Sequence, residues 1–283
     1  MRDDRLRAAL AGVRGFILDA DGVLVLKGEP LPGAADALRT LVAKAIPFRV
    51  VTNFSLAHRD SLAAHFRTAG IDVGADRILT GASAAAAYTA ARHPDRPLFV
   101  LAAPDARREF EGQQLIEPEA ADQAAPGTVG AVVIGDAGDD LSYRNLDIAF
   151  RLVRGGAEFL AMHRNPWWLT PRGPTLDAGS VVVGLEFATG RSATILGKPS
   201  PVVFRQAAAG LTRDLGGRVP RHVLAMVGDD PDADVRAAQR VGLRGILVLS
   251  GKTTTTEAAR LAEGRHPPDG VAASLTEVVA ALD

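Results

Sequence analysis

The chain has 283 residues, is 47% hydrophobic, contains no cysteine and carries a formal net charge of −1. That size and composition allow a large core in one or two domains, and two is the expectation. The lack of cysteine excludes disulfides, thiolate metal sites and cysteine nucleophiles, and a near-neutral charge without a basic block argues against a nucleic-acid or membrane-surface partner; carboxylates, hydroxyls, histidine and lysine acting on a small molecule remain.

In chain order, "MRDDRLRAAL" mixes acids with bases and has no signal-peptide apolar region, and no apolar run approaches the ~20 residues of a membrane span, so a soluble, cytoplasmic protein is expected. "GFILDADGVLVL", residues 15 to 26, interrupts an apolar run with Asp19 and Asp21. Asp-Gly between apolar runs is a hairpin signal. The flanking runs are continuously apolar, however, as in a strand buried on both faces. A strand over Gly15 to Asp19 puts Asp19 at its carboxyl end and Asp21 just beyond, where open α/β sheets bind ligands.

A helix over Ala34 to Lys44 and a strand over Phe48 to Thr52 follow. In "FRVVTNFS", Thr52 and Asn53 end the strand and Ser55 can cap a helix over Leu56 to Ala69 closed by Gly70. Backbone N–H groups at such a turn can seat a phosphate, although an ordinary capping cluster has the same composition. Strands are expected over Leu98 to Ala102 and Val129 to Gly135. "EPEAADQAAPGTVG", residues 117 to 130, reads as a surface connection. A helix over Tyr143 to Arg154 closed by Gly155, and a strand over Glu158 to Ala161, come next. Gly70, Gly155 and Gly242 each sit where a left-handed cap belongs.

"AMHRNPWWLTPRG", residues 161 to 173, holds Trp167 and Trp168 together with His163, Arg164, Asn165 and Arg172. Flat apolar faces, amides and cations can grip a small-molecule group; the same residues can anchor a loop or bury a subunit contact. In "ILGKPSP", Lys198, one of four lysines among 32 cationic residues, ends a short run, and Ser200-Pro201 read as N-cap and first helical position. A strand over Val223 to Gly228 runs into "GDDPDAD". Asp230-Pro231 again read as cap and first helical position, ahead of a helix over Ala233 to Val241 closed by Gly242, and Asp234 suits the first-turn dipole. Capping does not explain Asp229. After a strand over Gly245 to Leu249, "SGKTTTT" suggests a phosphate loop. The position five before its Gly-Lys pair is Ile246 rather than glycine, and Thr254 with Glu257 makes a capping box instead.

This alternation of apolar runs and amphipathic segments is that of an α/β fold with a mainly parallel sheet covered on both faces. Four strand ends carry, in order, paired carboxylates, a hydroxyl, a lysine and an acid cluster. The set Asp19-Ala20-Asp21-Gly22-Val23-Leu24, "VVTN", "GKPSP" and "GDDPDAD" resembles the four motifs of the haloacid dehalogenase superfamily across the whole chain. The long gap between Thr52 and Lys198, with "PLPGAADAL" and "TLDAGSVVVGLEFATG", resembles its subfamily IIA, which includes p-nitrophenyl phosphatases, nucleotide monophosphatases and phospholysine phosphohistidine inorganic pyrophosphate phosphatase.

The resemblance implies a Rossmann-like, doubly wound parallel-sheet core of residues 1–79 and 193–283 with an inserted α/β cap over 80–192. It also implies an Mg2+-dependent phosphatase acting on a small phosphorylated metabolite through an aspartyl-phosphate. Asp19 would be the nucleophile and Asp21 the acid and base, a task helped if the Asp21 pKa lies above that of ionised Asp19. Thr52, Asn53 and Lys198 would hold the phosphate; Asp19, Asp229 and the backbone carbonyl of Asp21 would hold magnesium, with Asp234 orienting that shell. Arg164 and Asn165 would meet the leaving group, and a homodimer through the cap is the competing use of the same segment. Two departures stand out: many members have Asn at Phe54 and Arg or Asn at Asp230, and the extra acid would lie near the metal. A receiver module would place its phospho-acceptor on a later strand, and a catalytically weak or silent phosphate-sensing homologue would not need intact Asp19 and Asp21.

Overall fold

The computed structural model describes residues 2–170 and 173–282. Ten strands make up its two larger sheets: β1 (Gly15–Asp19), β2 (Phe48–Thr52), β3 (Ile78–Thr80), β4 (Leu98–Leu101), β5 (Ala131–Ile134), β6 (Glu158–Ala161), β7 (Thr194–Ile195), β8 (Leu224–Gly228), β9 (Arg244–Val248) and β10 (Gly270–Ala272). The chain divides into two compact units, one of residues 1–52, 62–79 and 198–283 and one of residues 53–61 and 80–197.

The first unit carries a six-stranded sheet in the order β10-β9-β8-β1-β2-β3. Strand β1 pairs in parallel with β8 on one side and β2 on the other, so the chain leaves β1 in one direction and later returns in the other. That reversal opens a crevice at the carboxyl ends of β1, β2 and β8, the place where doubly wound sheets bind ligands. All five residues of β1, β2 and β8 are buried, which is why their sequences are continuously apolar apart from Arg49 and the terminal positions. Phe16, Leu18, Phe48, Val50, Val227 and Ile246 are at most 1% exposed, and each such side chain contributes about 1.5–3 kcal/mol on burial. Arg49 is the exception within a strand: its guanidinium reaches Asp214 Oδ2 at 2.6 Å.

A hairpin does follow β1, but further along than Asp21-Gly22. Val25–Leu26 pairs with Glu29–Pro30 and the chain turns at Lys27 and Gly28, both with positive φ. Of the two readings of the opening motif, the buried parallel strand ending at Asp19 is the one found; Asp21-Gly22 is not the turn of this hairpin.

The second unit has a four-stranded parallel sheet, β7-β6-β5-β4. Its core packs Phe99, Val132, Ile134 and Phe159 against Ile148, Val182 and Leu185 from the helices Tyr143–Arg154 and Ala178–Thr189. Residues 117–130 are not only a connection: Pro118–Asp122 is a short helix with Ala121 buried in this core. An antiparallel pair, Trp167–Thr170 with Gly173–Leu176, precedes the helix Ala178–Thr189. Thr80 and Gly197, at the two ends of the long insertion, lie near one residue. Met162 O accepts the Gly197 N–H at 2.8 Å, and a Cβ on Gly81 would lie 2.7 Å from that same oxygen.

Several strands and helices end a residue or two from where they are expected, and three differences have a visible cause or consequence. The helix after β2 runs over Arg59–Thr68 rather than from Leu56, because the N–H groups of His58 and Arg59 donate to the side chains of Asp105 and Glu109. The helix after β8 starts at Pro231, earlier than Ala233, and its first turns are wound wide, with Val235 N bonded to Asp230 O. After Arg154 the left-handed residue is Gly156 (φ 106°), whereas Gly155 has φ −75°; Gly70 and Gly242 do adopt positive φ.

Candidate active site

The carboxyl end of β1 presents Asp19, whose Oδ1 accepts the Ala20 N–H at 2.7 Å. Lys198, two residues before the N-cap Ser200 of the helix Pro201–Asp214, places Nζ 2.5 Å from Asp19 Oδ1 and 2.8 Å from Asp234 Oδ1. Asp234 is fully buried, and its second oxygen accepts the Asp230 N–H at 3.1 Å. The wide first turn after β8 carries Asp234 back beneath Gly228, where a Cβ would overlap the carboxylate.

Asp229 completes the group. Oxygens of Asp19, Asp229 and Asp234 all lie within 4.8 Å of one another, and the three residues are 6%, 4% and 0% exposed. The Asp229 carboxylate lies between Gly22 and Gly251, since a Cβ on either would overlap it; Gly22 also needs its φ of +76° to turn the chain after Asp21. Three buried carboxylates against one ammonium leave an excess of negative charge. Burial pushes the Asp19 carboxyl well above its ordinary range, Asp234 adds to the push, and Lys198 opposes it. Asp229 is raised likewise by burial, against the Lys252 N–H that it accepts, and Lys198 is held charged by Asp19 and Asp234 despite its burial. Hard oxygen donors with uncompensated charge fit a divalent cation of the magnesium or calcium type.

Asp21 is exposed, and no hydrogen bond to protein ties its carboxyl among the described residues. The surrounding protein desolvates it enough to raise its pKa, against Lys198 and Lys252. Asp19 is raised the more strongly of the two, the reverse of the order that favours Asp21 as the acid, chiefly because it is the more deeply buried and then because Asp234 and Asp229 stand beside it. Thr52, at the end of β2, is buried, and Asn53 is half-buried.

A segment not singled out for this cluster also reaches it. Beyond β9, Lys252 N donates to Asp229 Oδ2 at 2.8 Å, Thr253 Oγ1 donates to Asp229 O at 2.6 Å, and Ser250 Oγ donates to Gly22 O at 2.6 Å. "SGKTTTT" is therefore no phosphate loop but a brace around the acids, followed by the expected Thr254–Glu257 capping box. Its position just past a strand end was the available signal. Lys252 Nζ also pairs with Asp230 Oδ2 at 2.8 Å, while Asp230 Oδ1 caps the N–H groups of Asp232 and Ala233. Burial works upward on Asp230, but these partners outweigh it and hold its pKa low. The acid at this departure from the family pattern is thus committed to capping and to Lys252. Phe54, the other departure, is 37% exposed.

In the second unit the residues at 161–173 fall into two sets. His163 is 2% exposed and faces Ser55 and Asp177, so it offers nothing to a ligand at the surface, contrary to the expectation that it helps grip one. Asn165 hydrogen-bonds Asp177 through its side chain, and Arg164 pairs with Glu186 at 2.6 Å while half exposed. Trp167 is 58% exposed and Trp168 is intermediate; Arg172 lies outside the described residues.

Comparison with known proteins agrees with the geometry. A haloacid dehalogenase-like hydrolase family model matches residues 16–116 and a HAD-hydrolase-like model matches residues 195–278. The chain is 32% identical over 264 residues to human (Homo sapiens) haloacid dehalogenase-like hydrolase domain-containing protein 2, covering 92% of each chain. It is 32% identical over 279 residues to the phospholysine phosphohistidine inorganic pyrophosphate phosphatase of Bos taurus, covering 95% of this chain and 94% of that one. Its fold superposes on the crystal structure of a 4-nitrophenylphosphatase from Thermotoga maritima with a TM-score of 0.82 at 31% identity, over 97% of this chain and 99% of the other.

Proposed function

Because the chain belongs to the haloacid dehalogenase-like hydrolases, we propose that it hydrolyses phosphate monoesters of small metabolites through an aspartyl-phosphate on Asp19. The observation that carries this reading is Lys198 bridging Asp19 and Asp234 beside Asp229 at the crevice of the doubly wound sheet. Asp19 Oδ1 is occupied by Lys198 and the Ala20 N–H, which leaves Oδ2 as the attacking oxygen. A covalent intermediate splits a very slow hydrolysis into two easier displacements.

Lys198 neutralises charge on Asp19 and on the incoming phosphate, and Thr52 with Asn53 receives the phosphoryl oxygens. Asp21, exposed and with no hydrogen bond to its carboxyl among the described residues, protonates the leaving alkoxide and then takes a proton from the hydrolytic water. Its raised pKa supports that role. Magnesium held by Asp19, Asp229 and the backbone carbonyl of Asp21 would supply the positive charge that this excess of carboxylates lacks, with Asp234 fixing Lys198 behind them. Residues 80–192 act as a cap that selects the substrate, with Arg164 and Asn165 nearest the choice.

A cytoplasmic location belongs to the same reading, and among the described residues no helix is long and apolar enough to cross a membrane. So does a homodimer through the cap, for which exposed Trp167, Leu176, Val183 and Phe187 supply apolar surface. The test is phosphate release across a broad panel of phosphorylated metabolites, with and without magnesium. Release from at least one substrate that depends on the metal is expected; phosphate binding without release from any of them would leave only a phosphate sensor.

A further inference from the structure

His163 is the buried titratable group that the proposed chemistry does not use, and its surroundings define what it can do. Its Nδ1 accepts the Asn165 N–H at 3.4 Å. A backbone N–H is only a donor, so Nδ1 carries the lone pair and Nε2 carries the proton. That proton faces Ser55 Oγ at 2.9 Å, with Asp177 Oδ1 3.6 Å from the same nitrogen. Ser55 and Asp177 are themselves buried, 4% and 8% exposed.

Serine, histidine and aspartate this close invite comparison with a nucleophilic triad, and the geometry excludes one. In a triad the acid orients the ring through one nitrogen while the other takes the serine proton. Here Ser55 and Asp177 share Nε2, which is already protonated and cannot act as a base toward Ser55. What remains is a donor that fixes Ser55 in place. Burial also holds the ring neutral, against the pull of Asp177 and Asp136, so that Nδ1 keeps its lone pair.

Ser55 stands two residues beyond Asn53, in the segment 53–61. That segment is held to the rest of its unit by further bonds, among them His58 N on Asp105 at 2.9 Å and Arg59 N on Glu109, whose side chain is fully buried, at 2.8 Å. Both lie toward its far end, whereas the Ser55–His163 bond lies beside the phosphate-holding residues. We propose that His163 is a positioning residue for phosphate binding, whose Nε2–H pins Ser55 and thereby sets the backbone of Asn53 and Phe54 that follows Thr52. This assignment rests on the phosphatase reading.

The experiment measures inhibition of p-nitrophenyl phosphate hydrolysis by inorganic phosphate in wild type, Ser55→Ala, His163→Leu, His163→Gln and the Ser55→Ala/His163→Leu double variant. Gln places an amide N–H near the position of Nε2. Ser55→Ala and His163→Leu should each raise the phosphate inhibition constant and the KM about tenfold while kcat changes less than about threefold, the scale of one buried hydrogen bond. The double variant should be no worse than either single, because both remove one interaction, and His163→Gln should stay close to wild type. Circular dichroism checks folding, and if His163→Leu fails it, Ser55→Ala decides alone. Unchanged phosphate inhibition in folded variants, additive losses, or failure of His163→Gln to rescue would overturn the assignment. A wild type that neither releases nor binds phosphate would overturn the phosphatase reading itself, a distinguishable result.

Discussion

Lys198 Nζ lies 2.5 Å from Asp19 Oδ1, an ammonium and a carboxylate both almost fully buried. Lys198 is the cation in direct contact with the acid cluster, so its loss leaves Asp19, Asp229 and Asp234 facing one another. Breaking such a buried pair costs about 3–5 kcal/mol. Lys198→Met should therefore melt well below wild type, and magnesium should raise its Tm by more than it raises that of wild type. Thermal melts with and without the metal check this; an equal metal effect on both proteins would remove the charge-excess argument.

Asp19→Asn keeps the shape of the side chain while losing the anionic nucleophile. Phosphate release should fall on the order of 10⁴-fold or more, with circular dichroism unchanged. Wild type should trap an acid-stable, hydroxylamine-sensitive phosphoenzyme that the variant lacks. Substantial turnover in a contaminant-free variant would contradict attack by Asp19.

Metal binding should separate two neighbouring acids. Both oxygens of Asp234 are engaged, by Lys198 and by the Asp230 N–H, whereas among the described residues the Asp229 carboxylate accepts the Lys252 N–H alone. Asp229→Asn should weaken magnesium affinity, measured by calorimetry, about tenfold more than Asp234→Asn. Chelation should abolish turnover reversibly. Equal affinities in the two variants would mean that Asp234 is itself a ligand.

The buried His163 makes stability depend on pH. Its pKa is depressed below the ordinary 6.5, chiefly by burial, with Asp177 and Asp136 pulling the other way. Above pH 6.5 the ring is neutral in folded and unfolded chains alike, and stability is full. As pH falls below 6.5 the unfolded chain takes up a proton that the folded chain resists, so stability declines by at most about 1.4 kcal/mol per pH unit. Denaturant melts between about pH 7 and pH 5.5 should show a smaller loss for His163→Gln than for wild type.

Substrate choice should respond to Trp167 and Arg164. Trp167→Ala or Arg164→Ala should raise KM for the best metabolite by about tenfold or more and change p-nitrophenyl phosphate hydrolysis far less, because a small leaving group makes little use of the second unit. Equal losses on both substrates, accompanied by a shift on a sizing column, would give these residues to a subunit contact instead.

Much of this was readable from order and pattern. Strands buried on both faces announce themselves as short apolar runs, so Gly15–Asp19, Phe48–Thr52 and Glu158–Ala161 coincide with their sequence boundaries. The acids and lysine of the cluster stood out because nothing local explained Asp229 or a lone lysine before a helix. Residues 56–58 read as helix because their composition allows it. The N–H groups of His58 and Arg59 are claimed by acids 47 and 50 positions away, a competition that local pattern does not contain. His163 was misplaced for a similar reason: beside Arg164 and two tryptophans it reads as a surface ligand group, while its partner Ser55 is 108 positions distant. The brace at 250–253 resembles a nucleotide motif in composition, and its bonds to Asp229 and Gly22 join positions far apart in the chain.

The insertion that carries β4 to β7 starts and finishes at a single carbonyl, that of Met162. Ends that nearly coincide mean that the cost of closing the inserted loop grows only slowly with its length. Outer segments of the insertion can therefore be lengthened or trimmed without pulling on β3 or on Lys198, provided that Met162 stays between Gly81 and Gly197 and His163 stays on Ser55. The insertion is free in length and fixed at those few residues.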